Sequence, residues 1–187
     1  VAACCFLGYL YQGPPFRLGY QGLGEPLCWL AFGPFAYSAV LIALNPSNIY
    51  FEDIPWKVSL LLGSGPSLAT TLVLFCSHFH QISEDKKHGK NSPLVRLGAK
   101  KGSQFVPWII FTIYIFQLFT IVYGFIPVFC ILYLLSFPQA IRLINLLKSS
   151  YAKPSAIKNC KFVAIKFQTL NGIGLITGLI FNYLLNK

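Results

Sequence analysis

The stretch FVPWIIFTIYIFQLFTIVY, residues 105–123, contains no acidic or basic side chain and no histidine. A helix of about 20 residues crosses the hydrocarbon core of a bilayer, so an apolar run of this length reads as a membrane span. Outward from it the pattern recurs: segments 26–44, 58–77, 126–147 and 170–185 reach or approach the same length, and residues 1–10 read as the tail of another span. The expectation is an all-α, polytopic transmembrane helix bundle of about five complete spans plus part of another. A soluble fold fails on solvation. Of the 187 residues 55% are hydrophobic and only 11% charged, whereas a soluble domain keeps about a quarter of its residues charged.

Threading these spans makes the connecting segments alternate between two sides. One side receives 11–25, 81–104 and 148–169, which with Arg142 near a span end hold every lysine and arginine except Lys57 and Lys187. Such an asymmetry is the positive-inside signature, so these loops are expected on the cytoplasmic or stromal side. The net charge of +10 is therefore topological, and nucleic acid is not an expected partner. The opposite loop NPSNIYFEDIPWK (45–57) carries Glu52 and Asp53 and reads as a solvated tip. The basic stretch 151–168 reads as an interfacial segment near anionic headgroups. Six cysteines form no CxxC pair and read as small packing residues. No signal peptide is visible at 1–10, which lacks a basic leading region, and the absence of an initiating Met suggests a piece of a longer chain.

Two stretches on the basic side stand apart. YQGPPFRLGYQGLGEP (11–26) is crowded with glycine and proline, so an ordered loop is expected up to Gly24. It holds Tyr11, Gln12, Phe16, Arg17, Tyr20, Gln21 and Glu25, more aromatics than a plain linker needs. LFCSHFHQISEDKKHGKNSPLVRLG (74–98) holds all three histidines, His78, His80 and His88, beside Glu84 and Asp85. If the span from Val58 continues as one helix to about His88, then His78, Gln81 or Ile82, and Asp85 share one stripe, and His80, Glu84 and His88 the next. Ionisable groups at a membrane helix end face the bundle interior or an aqueous cavity. Gly89 then offers a C-cap, after which Lys90 and Arg96 fold back over the acids.

A zinc site would need about four ligands, and no partnering His or Cys cluster exists elsewhere in the chain. Carboxylates flanked by lysine and arginine suit Mg²⁺, which shares its ligands between acids, water and substrate phosphates. Lysine and arginine neutralise the remaining phosphate oxygens. At a membrane surface this set points to a lipid diphosphate with its tail between helices. A transporter, the alternative of another class, would need charged or His side chains deep in its spans, and 58–76 and 105–135 have none.

Together, YQGPPFRLGYQGLGEP and HFHQISEDKKHGKNSPLVRLG resemble the UbiA-type membrane prenyltransferases, most closely the branch of cyanobacteria and plastids acting on 1,4-dihydroxy-2-naphthoate. The resemblance covers almost the whole chain. It implies a nine-helix bundle with two acidic motifs that bind Mg²⁺–diphosphate. This chain would be a single domain, 1–187, running from the end of the fourth helix to the ninth, with the first acidic motif upstream of Val1. The second maps onto 81–85, where Gln81 stands in place of the Asp common in the family. Implied catalytic residues are Asp85 and Glu84, also the metal ligands, with Lys90 and Arg96 on the diphosphate. Implied substrate-binding residues are Tyr11, Gln12, Arg17, Tyr20, Gln21, Gln81 and His78, with Arg17 suggested by its charge and place for the ring carboxylate. The implied reaction is electrophilic aromatic substitution: phytyl diphosphate alkylates 1,4-dihydroxy-2-naphthoate, or its quinone form, with loss of CO₂, in phylloquinone or menaquinone biosynthesis. Tyr11, Phe16 and Tyr20 are candidate rings to stabilise the allylic cation. Homogentisate or a chlorophyllide are the alternative acceptors.

Overall fold

The computed structural model describes residues 2–44 and 54–187. Among them every regular element is helical: α1 (Ala2–Gln12), α2 (Gly24–Leu44), α3 (Trp56–His80), α4 (Ile82–Lys87), α5 (Pro93–Val122), α6 (Val128–Ser150), α7 (Pro154–Ile157) and α8 (Cys160–Leu185). α2, α3, α5, α6 and α8 are long and apolar enough to cross a membrane, so the expected all-α transmembrane bundle is what the chain forms. Glu52 and Asp53 lie outside the described residues.

α3 is the central helix, packed against α2, α5 and α8. Its buried face is built from small residues, Ser59, Gly63, Ser64, Gly65, Ser67, Ala69 and Thr71, before larger Leu72, Phe75 and Cys76. Small residues suit a membrane interface, where close backbone approach and dispersion replace the hydrophobic drive available in water. Three of the hydroxyls are satisfied within the helix: Ser64 donates to Leu60 O at 2.5 Å, Ser67 to Ser64 O at 3.2 Å and Thr71 to Ser67 O at 2.8 Å. Large apolar side chains point outward instead, among them Trp108 (69% exposed), Val122 (70%) and Leu184 (62%). That outward greasiness matches a lipid surround rather than water.

Deeper in the bundle a polar cluster links three spans. Gln117 of α5 and Asn171 of α8 exchange two amide hydrogen bonds, at 2.6 and 3.0 Å. The Asn171 amide also reaches Ser136 Oγ of α6 at 3.5 Å, and Ser136 pairs with Tyr114 at 2.9 Å. Beside this cluster α6 and α8 meet backbone to backbone. A Cβ at Gly174 would lie 2.2 Å from Leu132 O, and one at Gly178 would lie 2.5 Å from Cys130 Cα. The opening of α6, Val128–Ser136, is wound as a tighter 3₁₀ helix against these glycines.

Three expectations need correction. The span read at 105–123 starts at Pro93, whose fixed φ suits a first helical position; Gly98, with φ +77 and ψ 158, breaks the helix beyond its first turns. The span read at 170–185 starts at Cys160. Cys160, Val163, Ala164 and Phe167 are buried at helical spacing, so most of the stretch read as interfacial is a packed helix start, and only the connector around α7 remains. The helix from Val58 does not run on to His88: α3 closes with a 3₁₀ turn at His78–His80 and stops at Gln81 (φ −104, ψ 1).

Candidate active site

The break at Gln81 positions the acids. Tightening to a 3₁₀ turn re-aims the chain, and α4 restarts so that Asp85 faces back to the end of α3. His78 Nδ1 lies 3.3 Å from Asp85 Oδ2, with both residues buried. No hydrogen bond is aligned between these two buried atoms. Asp85 Oδ2 therefore keeps acceptor capacity.

α4 ends in a Schellman turn. Gly89 adopts φ +69, which costs glycine little. Its N–H donates to Lys86 O at 3.2 Å, and the Lys90 N–H donates to Asp85 O at 2.8 Å. The turn folds Lys90 back over the acid, and its Nζ lies 3.3 Å from Asp85 Oδ1. Glu84 is exposed and pairs with Lys87 at 3.2 Å, a surface contact worth little. The His88 ring nitrogen Nδ1 lies 2.9 Å from Glu84 O.

The glycine- and proline-rich loop closes over this end of the bundle. It folds on the end of α1 through Leu18 N–H to Leu10 O (2.9 Å) and Gly19 N–H to Tyr11 O (3.0 Å). Two bonds then tie it to the segment after α4: Asn91 N–H donates to Tyr20 O at 2.7 Å, and the Arg96 guanidinium donates to Gln21 O. Loop and α4 enclose a cleft of about 520 Å³, lined by Tyr11, Gln12, Tyr20, Gln81, Glu84, Asp85 and Lys90, with His80, His88 and Gly19.

Most of the residues expected at the site are thus brought together. Four are not on the cleft wall. His78 stands behind Asp85. Arg17, at φ +44, holds its guanidinium 5.9 Å from the Tyr20 ring centroid. Gln21 bonds Phe16 O at 2.7 Å. Arg96 does not reach the acids; it clamps the loop. Sequence reasoning passed over Glu25 as a site residue. Both of its carboxylate oxygens are buried without a hydrogen-bond partner, within electrostatic reach of Lys90 and Asp85. An acid in the first turn of a membrane helix is the signal that points to it.

Below the cleft lies an apolar cavity of about 770 Å³ between α1, α2, α3 and α8, with Leu7, Leu27, Phe32, Val73 and Leu74 in its wall. Tyr11 lines both spaces. Burial, and after it the Glu25 carboxylate, push the Tyr11 phenol above its ordinary value, so its hydroxyl stays a donor. One side chain therefore divides a charged compartment from a greasy one.

Beside the His80 and His88 rings the cleft wall offers the carboxylates of Glu84 and Asp85, with an uncommitted lone pair on Asp85, and these hard oxygens suit Mg²⁺ over softer ions. Among the described residues no three His, Cys, Asp or Glu side chains converge on one point. The set fits a shared site, with one or two carboxylates from this chain and the other ligands from phosphate and water.

Comparison with known proteins agrees with this architecture. The UbiA prenyltransferase family matches residues 1–165. A Synechocystis protein named 2-carboxy-1,4-naphthoquinone phytyltransferase is 37% identical over 178 residues, covering 95% of this chain and 56% of the relative. Its chloroplastic namesake from Arabidopsis thaliana is 38% identical over 182 residues, covering 96% of this chain and 47% of the relative. The chain thus spans about half the length of the curated relatives it matches. No solved structure matches it.

Proposed function

The chain belongs to the UbiA prenyltransferase family, and on that footing we propose that the complete protein transfers a phytyl group from its diphosphate to 1,4-dihydroxy-2-naphthoate or the quinone form. The carboxyl group leaves as CO₂, and the product serves phylloquinone or menaquinone biosynthesis. The observation that carries the reading is the junction at Tyr11 of an acid- and lysine-lined cleft with an apolar cavity. A prenyl diphosphate has those two halves. The names of the two relatives support the acceptor class.

The diphosphate lies in the cleft, where the Lys90 ammonium and the amides of Gln12 and Gln81 face its oxygens. Asp85 and Glu84 would hold Mg²⁺, which when bound neutralises charge on the departing diphosphate. The C1–O bond of the donor breaks and its electron pair leaves with the diphosphate. The allylic cation is flanked by Tyr11 and Tyr20, whose faces stabilise positive charge without adding to it. Ring π electrons form the new C–C bond, and the pair from the lost C–CO₂ bond restores the aromatic ring. The loop 13–23 limits water at the cleft, favouring transfer over hydrolysis. Arg96 acts by holding the loop. The charge asymmetry of the loops supports a reaction on the cytoplasmic or stromal face of a bacterial, thylakoid or plastid membrane.

The test is an acceptor panel with the complete protein in liposomes, supplied with phytyl diphosphate and Mg²⁺. Prenylation of the naphthoate is expected at a rate exceeding homogentisate and chlorophyllide by about tenfold or more. A preference for either of the others overturns the acceptor.

A further inference from the structure

Polar cleft, apolar cavity and a further cavity succeed one another along α3. Ser77, Leu74, Val73 and Thr70 carry the apolar cavity down the helix, a descent of about 10 Å at 1.5 Å per residue. At that depth Gln168 Nε2 of α8 donates to Thr70 Oγ1 at 2.7 Å. The same two residues line a second cavity of about 420 Å³, which continues past them along Ala69, Pro66, Asn171 and Ile176. One side-chain bridge between α3 and α8 is thus the wall common to both spaces.

We infer that the Gln168–Thr70 bridge is the floor of the donor's tail site and sets the longest prenyl chain that the protein accepts. The inference rests on the prenyl-transfer reading above. A tail short enough to stop at Thr70 leaves the bridge intact. A longer one must part Gln168 from Thr70 to enter the second cavity, and methylene groups offer the amide and hydroxyl nothing in exchange. Polar groups left unpaired in an apolar cavity are costly. Thr70 is also held from its own helix, where its hydroxyl lies 3.3 Å from Pro66 O, so the wall is fixed on the α3 side. Replacing Gln168 by a small residue merges the two cavities.

The experiment uses the complete protein in liposomes with one acceptor and two donors in competition, phytyl and solanesyl diphosphate. In Gln168→Ala the ratio of solanesyl to phytyl transfer is expected to rise about tenfold or more over wild type. Thr70→Ala removes the same wall from α3 and is expected to shift the ratio the same way, which preserves the test if one variant fails to fold. Variants that melt normally and transfer phytyl, yet keep the wild-type ratio, overturn the inference alone. A wild type that transfers no prenyl group from either donor overturns the prenyl-transfer reading, and the inference with it.

Discussion

Asp85 sits between two nitrogen groups, the His78 ring against Oδ2 and the Lys90 ammonium against Oδ1, each at 3.3 Å. Lys90 has a double function in this arrangement. It balances the acid, and under the proposed function it is the lysine of the cleft wall that meets the donor's diphosphate. Lys90→Gln keeps length and hydrogen bonding but removes the charge. It is expected to raise KM for the prenyl diphosphate by about tenfold or more, with a smaller change for the aromatic acceptor. Steady-state kinetics with each substrate varied in turn check this; equal effects on both would place Lys90 away from the diphosphate. The identity of these residues was legible in the sequence because ionisable groups are scarce in so apolar a chain. Their distances were not, since Lys90 reaches Asp85 through a turn at Gly89 and not along a helix face.

Among the elements, the spans were readable and their ends were not. Hydropathy located five apolar segments, but α5 begins well before its apolar run because Pro93 starts the helix outside the hydrocarbon. α8 begins early because Cys160, Val163, Ala164 and Phe167 bury a helical stripe between basic residues. The break at Gln81 had no sequence mark at all, as neither glycine nor proline stands there. Arg96, by contrast, reads as a phosphate ligand on charge alone, and only the fold reveals its bond to Gln21 O. The meeting of α6 and α8 carries a prediction of its own. A side chain at Gly174 would strike the backbone of α6, at Leu132 O and Tyr133 N, which cannot yield as a flexible side chain would. Gly174→Val is expected to destabilise the bundle by about 3 kcal/mol, seen as a lowered thermal midpoint in detergent. Gly172→Val, where a Cβ meets nothing within 4 Å, is the control expected to melt near wild type.

At the scale of the whole molecule, one end of the bundle collects the chemistry. The loop after α1, the turn around α4, and α7 against the end of α3 all lie there, and the basic loops of the sequence map to that end. Large apolar side chains cover the flanks, which suits a bundle held by the bilayer, and under the proposed function its charged end is where the donor's diphosphate binds. On the same reading the apolar cavity between α1, α2, α3 and α8 takes the donor's tail. All of this rests on Asp85 being the acid that holds the donor's diphosphate through Mg²⁺. The direct test reconstitutes the complete protein in liposomes and measures Mg²⁺-dependent prenyl transfer for wild type and Asp85→Asn. The account predicts that Asp85→Asn melts as wild type does while turnover falls by about a hundredfold or more, and that EDTA silences the wild type. Full turnover by Asp85→Asn, or transfer undiminished in EDTA, would contradict it.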